Sequence, residues 1–524
     1  MRLGFWIVAF LGCSSDKSLP QADLLLYNGH IRIDADHVAE RMLIHEGKVI
    51  ALDEDCEQYD PNETQDLNGS IILPGIHDAH THLLAGSFVM ERLLLIGVSS
   101  MSNLTQKLEA YAAENPQEPW IIGFGWLYTQ LESPSKEELD IITPDRPIAL
   151  FDSSGHNLLV NSKTLELAGI DETTPDPIGG TIVRDENGNP TGLLKESAIE
   201  MVSPFMLAAY DDEAFLEHLR ERVIEFSEMG ISSISEILAV PGVSLARPEL
   251  YARLEEQGEL PIRVAYYMPL FSLDELDEVI LHEGYNTNRL RFAGLKIWVD
   301  GSTSSGSSWS LSPSTLNEED YGSHYWTQEE LTQVIAKAEE NQLSIKFHTN
   351  GDAAIQTVLN AIEAQSQSVE QRYILEHVAL LDPIDYLRLY ELGICASVQS
   401  GIASLGRFSD QADVWGEERM ERAWDFQALE EAKITTLLGT DWPVWPTIDP
   451  LVNAWTASEG LQKSFQPAYT WDSYTNHVQT CLNEPIGCLE VGCIADRTWM
   501  SSDPYQTPTE DWGDIEILQV ELSN

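Results

Sequence analysis

Leu73-Pro74-Gly75-Ile76-His77-Asp78-Ala79-His80-Thr81-His82 is the stretch on which the reading of this 524-residue chain turns. It follows the apolar pair Ile71-Ile72, so His80 and His82 are expected at the end of a strand. Side chains two apart on a strand point the same way, roughly 6.6 Å apart along it. Two imidazoles placed so can converge on one cation with nitrogens at about 2.0–2.1 Å. His77 falls on the other face and is not expected to be a ligand. An H-x-H pair by itself is weak evidence for a metal site, and its company decides.

Outward from that stretch, the middle of the chain alternates strand-like and helix-like segments. A helical pattern over residues 215–229 is closed by Gly230, a common helix stop. Apolar strand-like runs follow at 231–237, 290–299, 343–348, 372–377, 394–398 and 435–439. Thr327-Gln328-Glu329-Glu330 is a capping-box start for a helix reaching about residue 341, and 352–364 is helical. Repeated strand-then-helix units imply parallel strands with crossover helices, and the fold class expected is α/β, a TIM-like (β/α)8 barrel. About nine strand candidates compete for eight barrel places, so one is misassigned or lies outside. Residues 74–483 form the expected barrel, and the Pro-, Gly- and Asp-rich 98–215 an insertion over the site. Short alternating runs at 22–73 and at 484–524 suggest a small β-sandwich domain built from both chain ends.

His348, His377 and Asp441 each stand at the C-terminal end of a separate expected strand, where a TIM barrel gathers its catalytic groups. Singly each has a bland reading: a helix cap, a satisfied core histidine, a turn aspartate. These three coincidences and the H-x-H pair, four in all, make the joint bland reading improbable.

At this point the chain resembles the amidohydrolase superfamily, most closely its amidohydrolase-3 branch, which includes N-substituted formamide deformylase-like proteins. The matching segments are the stretch ending at His82, Asp152-Ser153-Ser154-Gly155-His156, Asn161-Ser162-Lys163 and Gly179-Gly180-Thr181. Lys296 with Asp300-Gly301-Ser302, His348 with Gly351-Asp352, Glu376-His377 and Gly439-Thr440-Asp441-Trp442-Pro443 complete the set. The resemblance implies a metal-bearing barrel with a β-sandwich from both termini. It implies two divalent ions, zinc by type: one held by His80, His82 and Asp441, the other by His348 and His377. Lys296, carboxylated, would bridge them; the bland alternative is a lysine paired with Asp300. A neutral lysine can react with carbon dioxide, and the carbamate suits metals about 3.5–4 Å apart. The implied reaction is hydrolysis of a carbon–nitrogen bond (amide, N-acyl or formamide) or an ester, by water whose pKa the metal lowers from about 15.7 to about 7. Asp441 would be the general base. His156 resembles a residue that hydrogen-bonds the substrate carbonyl, and Trp126, in Gly123-Phe124-Gly125-Trp126, a pocket wall. Two departures stand out. Gly492-Cys493-Ile494-Ala495-Asp496 lacks the family's usual lysine, which bears on the β domain, and Val398-Gln399-Ser400-Gly401 lacks a proline after the glutamine.

Composition narrows the partners. With 85 acidic against 30 basic residues the formal net charge is −55, which repels nucleic acid and anionic headgroups. A small-molecule substrate is expected, and self-association remains compatible with the sequence. Residues 1–13 read as a lipoprotein-type signal: Arg2, a short apolar run over 3–11, then Gly12-Cys13-Ser14. Cys13 would carry the lipid anchor and be the only membrane contact, and Ser14 favours the outer membrane of a bacterial cell envelope, facing the periplasm. A plain secretory signal is the alternative. Of six cysteines, Cys481, Cys488 and Cys493 lie close enough in sequence to supply one disulfide in such a compartment. Two other classes of function fit the scaffold: a lipid-anchored binding protein without catalysis, and a metal-dependent isomerase or lyase.

Overall fold

Eight parallel strands follow one another in chain order: β1 (Ile76–Thr81), β2 (Ile231–Ile237), β3 (Arg263–Leu270), β4 (Leu290–Trp298), β5 (Ser344–Thr349), β6 (Tyr373–His377), β7 (Cys395–Val398) and β8 (Thr436–Leu438). This is a computed structural model in which residues 19–127, 131, 134–177, 179–240, 243–282, 284–303, 305–365, 373–406 and 411–523 are described. The signal-like segment and Cys13 lie outside them. Every residue of β1 and β2 is buried, as parallel strands sheathed by helices require. The sheet returns on itself at its C-terminal mouth. The amide of Asp441 donates to the His80 carbonyl at 2.7 Å, and that of His82 to the Trp442 carbonyl at 2.9 Å. The fold is therefore a TIM-like barrel.

The crossover helices begin and end where their sequence dictates. Helix Asp212–Glu228 starts on Asp211, whose side chain accepts from the Ala214 amide, and stops before Gly230 at φ +94°. Helix Gln328–Glu340 carries both hydrogen bonds of the capping box between Thr327 and Glu330. Of the strand candidates, Ile71-Ile72 lies outside the barrel: Ile71–Pro74 pairs with Arg497–Met500 and β1 begins afresh after Gly75.

Beside the barrel lie two sheets. One orders its strands Lys48–Leu52, Met42–His45, Gln21–Tyr27, Asp60–Asp66, and the other Ile517–Glu521, Arg497–Met500, Ile71–Pro74, His30–Arg32, Val38–Ala39. Leu26, Met42 and Val49 of the first share a core with Ile31 and Ile72 of the second, so the sheets pack face to face, and both chain ends contribute. The atypical segment before Arg497 packs well. Asp496 receives the Arg263 guanidinium at 2.6 Å and ties this domain to β3.

Between β1 and β2 the chain builds a six-stranded mixed sheet, ordered Gly180–Arg184, Pro190–Glu196, Asn157–Val160, Ile148–Asp152, Ile121–Trp126, Leu93–Leu94, with its own apolar core. Two disulfides are present: Cys488–Cys493, and Cys395 of β7 with Cys481. The one bond expected among the last three cysteines is Cys488–Cys493, and the third of them, Cys481, pairs across 86 residues with a strand that sequence proximity could not indicate. Cys56 is free and buried. No described helix is long and apolar enough to cross a membrane.

Candidate metal centre

His80 lies in β1, His348 in β5 and His377 at the end of β6, all at the barrel mouth. His82 is one residue beyond β1, at the N-cap of helix Leu83–Met90, and Asp441 is three residues beyond β8. The chain turns sharply to present them: His377, Val378 and Asp441 have φ of +72°, +45° and +58°. Such conformations cost about 1–3 kcal/mol each for non-glycine residues and persist where the surroundings impose them.

The side chains converge. One ligand atom from each of His80, His377 and Asp441 lies within 4.8 Å of the others. Nε2 of His82 is 3.1 Å from Oδ1 of Asp441, and Nε2 of His80 is 3.4 Å from the same oxygen. The His348 and His377 ring centroids are 4.4 Å apart. His348 stands at the edge of the group, and the Asn350 amide nitrogen lies 2.9 Å from its Nε2. Lys296, on β4, is wholly buried beside them, and its Nζ has no hydrogen-bond partner among the described residues. The bland reading of Lys296 as Asp300's partner does not hold, because Asp300 accepts the amides of Trp309, Asn350 and Gly351 instead.

A second layer aims these groups. Nδ1 of His80 lies 2.6 Å from Glu376, whose other oxygen takes Lys346 Nζ at 2.6 Å, and Lys346 also donates to the Ala79 carbonyl at 2.8 Å. Nδ1 of His377 lies 2.8 Å from Gln399 Oε1. With Nδ1 engaged, each ring is left with Nε2 for the cluster, the arrangement metal-binding histidines favour. Asp78 accepts Thr440 through both its amide (3.0 Å) and its hydroxyl (2.7 Å), and so locks the Asp441 turn to β1. Glu376, Gln399 and Asp78 stand in stretches quoted above that gave them no role, and Lys346 stands in none of them. The one signal available was Lys346 itself, a charge among apolar neighbours two residues before His348.

The protonation states suit a cation. Burial lowers His80 to about 4 against the pull of Glu376, and His377 to about 3 against that of Asp441. Burial and His377 hold His348 well below its usual value. These rings are neutral, as ligands must be. Burial brings Lys296 down to about 8, toward the neutral amine. Burial alone would raise Asp441, but His80, His82 and His377 together keep it well below the usual carboxylate range. Neutral imidazoles, an anionic carboxylate and an orphaned buried amine fit a divalent ion.

A cavity opens over the cluster, lined by the barrel mouth and by Phe124, Phe151, Ser154, Gly155 and His156 of the inserted sheet. Nδ1 of His156 lies 2.6 Å from buried Glu196, itself at φ +53° and accepting the Ser307 hydroxyl at 2.8 Å. Burial lowers the His156 pKa, but the Glu196 carboxylate outweighs it and the net shift is upward. Trp126 does not line this cavity. Gly125, at φ +105°, sits in a register shift that breaks the alternation, and Trp126 is buried in the insertion core with Nε1 donating to the Leu150 carbonyl at 2.9 Å. Phe124 faces the cavity instead.

Comparison with known proteins agrees with this geometry. The family model described as "Amidohydrolase family" matches residues 63–520. The N-substituted formamide deformylase of Arthrobacter pascens is 24% identical, covering 95% of this chain and 96% of that one. Protein LONG AFTER FAR-RED 3 of Arabidopsis thaliana is 28% identical, covering 94% and 89%. A solved metal-dependent hydrolase from Pyrococcus horikoshii superposes with a TM-score of 0.73 at 25% identity, over 93% of this chain and 99% of its own.

Proposed function

The chain belongs to the amidohydrolase family and is a hydrolase that uses a divalent metal, and from that premise we propose that it cleaves the carbon–nitrogen bond of an amide, N-acyl or formamide group. The observation that carries this reading is the meeting of His80, His377 and Asp441 at one point beside the Lys296 amine, which has no hydrogen-bond partner among the described residues. The relative named a formamide deformylase supports the bond type. In this proposal His80, His82 and Asp441 would hold one ion and His348 and His377 a second, with carboxylated Lys296 as a ligand shared between them. Bound there, a divalent ion supplies Lewis acidity and an acidified water.

The chain's own groups do the rest. Asp441, anionic and at the centre of the cluster, accepts a proton from the attacking water and passes it to the leaving nitrogen, giving an amine and a carboxylic acid. His156, held by Glu196, donates a hydrogen bond to the substrate carbonyl oxygen as negative charge grows there. Lipidation at Cys13 and an outer-membrane address facing the periplasm are part of the same proposal; they rest on residues 1–13, and the two disulfides suit an oxidising compartment. Intact mass of the mature protein from membranes tests that anchor.

The test of the chemistry is turnover of simple amides by metal-loaded protein, by protein stripped with chelator, and by Asp441→Asn. Activity should vanish on stripping and return with zinc or manganese. In Asp441→Asn, kcat should fall by at least about 100-fold, with a far smaller change in KM. An unchanged kcat would remove Asp441 from the role of base.

A further inference from the structure

The walls of the cavity narrow the substrate further. Apart from the metal cluster, Ser154 and His156, they are apolar: Phe88, Phe124, Phe151, Met206, Val243 and Leu245 are among them. All six are buried. Among the described residues the lining contains no arginine, and its one lysine is Lys296 at the cluster. Nδ1 of His156 is already engaged by Glu196 at 2.6 Å. Among the described residues of the lining, no cationic side chain outside the cluster is left to receive a carboxylate, and the net charge of −55 repels an approaching anion. A carboxylate buried against such walls would be desolvated without a partner, whereas each methylene placed there gains from leaving water.

We propose, resting on the amide-hydrolase reading above, that this site takes an uncharged amide bearing a bulky apolar arm and rejects the same amide when the arm ends in a carboxylate. Leu207, half-buried among the lining residues, is the rim position at which charge could be introduced without opening the core.

Two homologous series test this, with amine release giving kcat/KM: N-methyl amides of lengthening straight-chain acids, and formamides of lengthening straight-chain amines. Each long member is paired with a carboxylate-ended analogue. In at least one series kcat/KM should rise about four-fold per methylene until the chamber is full. The carboxylate-ended analogue should fall at least about 100-fold below its methyl-ended equal. Leu207→Arg should bring that pair to within about ten-fold of each other, and Leu207→Ala should not.

A flat profile in both series, or a carboxylate-ended compound handled as well as its apolar equal, overturns the proposal. If short members are still hydrolysed in a metal-dependent way, that result leaves the hydrolase reading standing. No metal-dependent turnover of any member overturns both.

Discussion

Glu376 and Lys346 face each other at 2.6 Å inside the barrel with no exposed surface, and Glu376 also fixes the ring of His80. Removing the carboxylate charge in Glu376→Gln should loosen His80 and weaken metal affinity by about 10–100-fold, as titration with a competing chelator would report. Lys346→Met leaves a buried carboxylate uncompensated and should destabilise the fold by about 3–5 kcal/mol in denaturant titration. The residues around the ion were legible because each stands in a short recurring context at a strand end. Their supports were not. Glu376 meets Lys346 only because β5 and β6 lie side by side in one register, and His156 meets Glu196 across 40 residues of the insertion. Pairs of this kind depend on a fold that local sequence does not spell out.

At the scale of elements, the end of β8 lies tight against β1. A Cβ on Gly439 would stand 2.6 Å from the amide nitrogen of His80 and 2.8 Å from its Cβ, so the strands must part if glycine is replaced. Gly439→Ala should shift His80, lower stability by about 1–3 kcal/mol and reduce metal content, measured together by denaturation and elemental analysis. The alternation of apolar runs with capped helices announced the (β/α) units, since periodicity and caps are local properties. What periodicity could not show was where it breaks. The bulge at Gly125 turns Trp126 into the insertion core, and the chain changes domain between Ile72 and Ile76 within one apolar run.

For the whole molecule, the disulfide between Cys395 and Cys481 pins the helix Asn476–Leu482 to β7 across 86 residues. Cys395→Ala should cost about 2–5 kcal/mol in unfolding under oxidising conditions and nothing under reducing ones. Stability should also depend on pH through Glu236, which accepts the amides of Leu83 and Leu84 at 2.7 and 3.0 Å. Burial pushes its carboxyl from 4.5 up to about 8, against the pull of those amides. The folded state then holds this proton more tightly than the unfolded chain, so the stabilisation is full below about pH 4.5 and is lost as pH rises through about 8. In chelated protein the melting temperature should therefore fall between pH 5 and 8.5, and Glu236→Gln should flatten that slope. The acidic surface was plain from composition, whereas a bond spanning 86 residues and a carboxyl buried under a helix start both arise from long-range packing.

The central claim, a metal centre bridged by Lys296, is tested most directly by counting metal per protomer by elemental analysis in the chain lacking residues 1–13, alongside Lys296→Ala. About two equivalents are expected, falling to about one or fewer in the variant. About one equivalent in both proteins would contradict the bridge, and none in either after supplementation with zinc or manganese would contradict the metal centre itself.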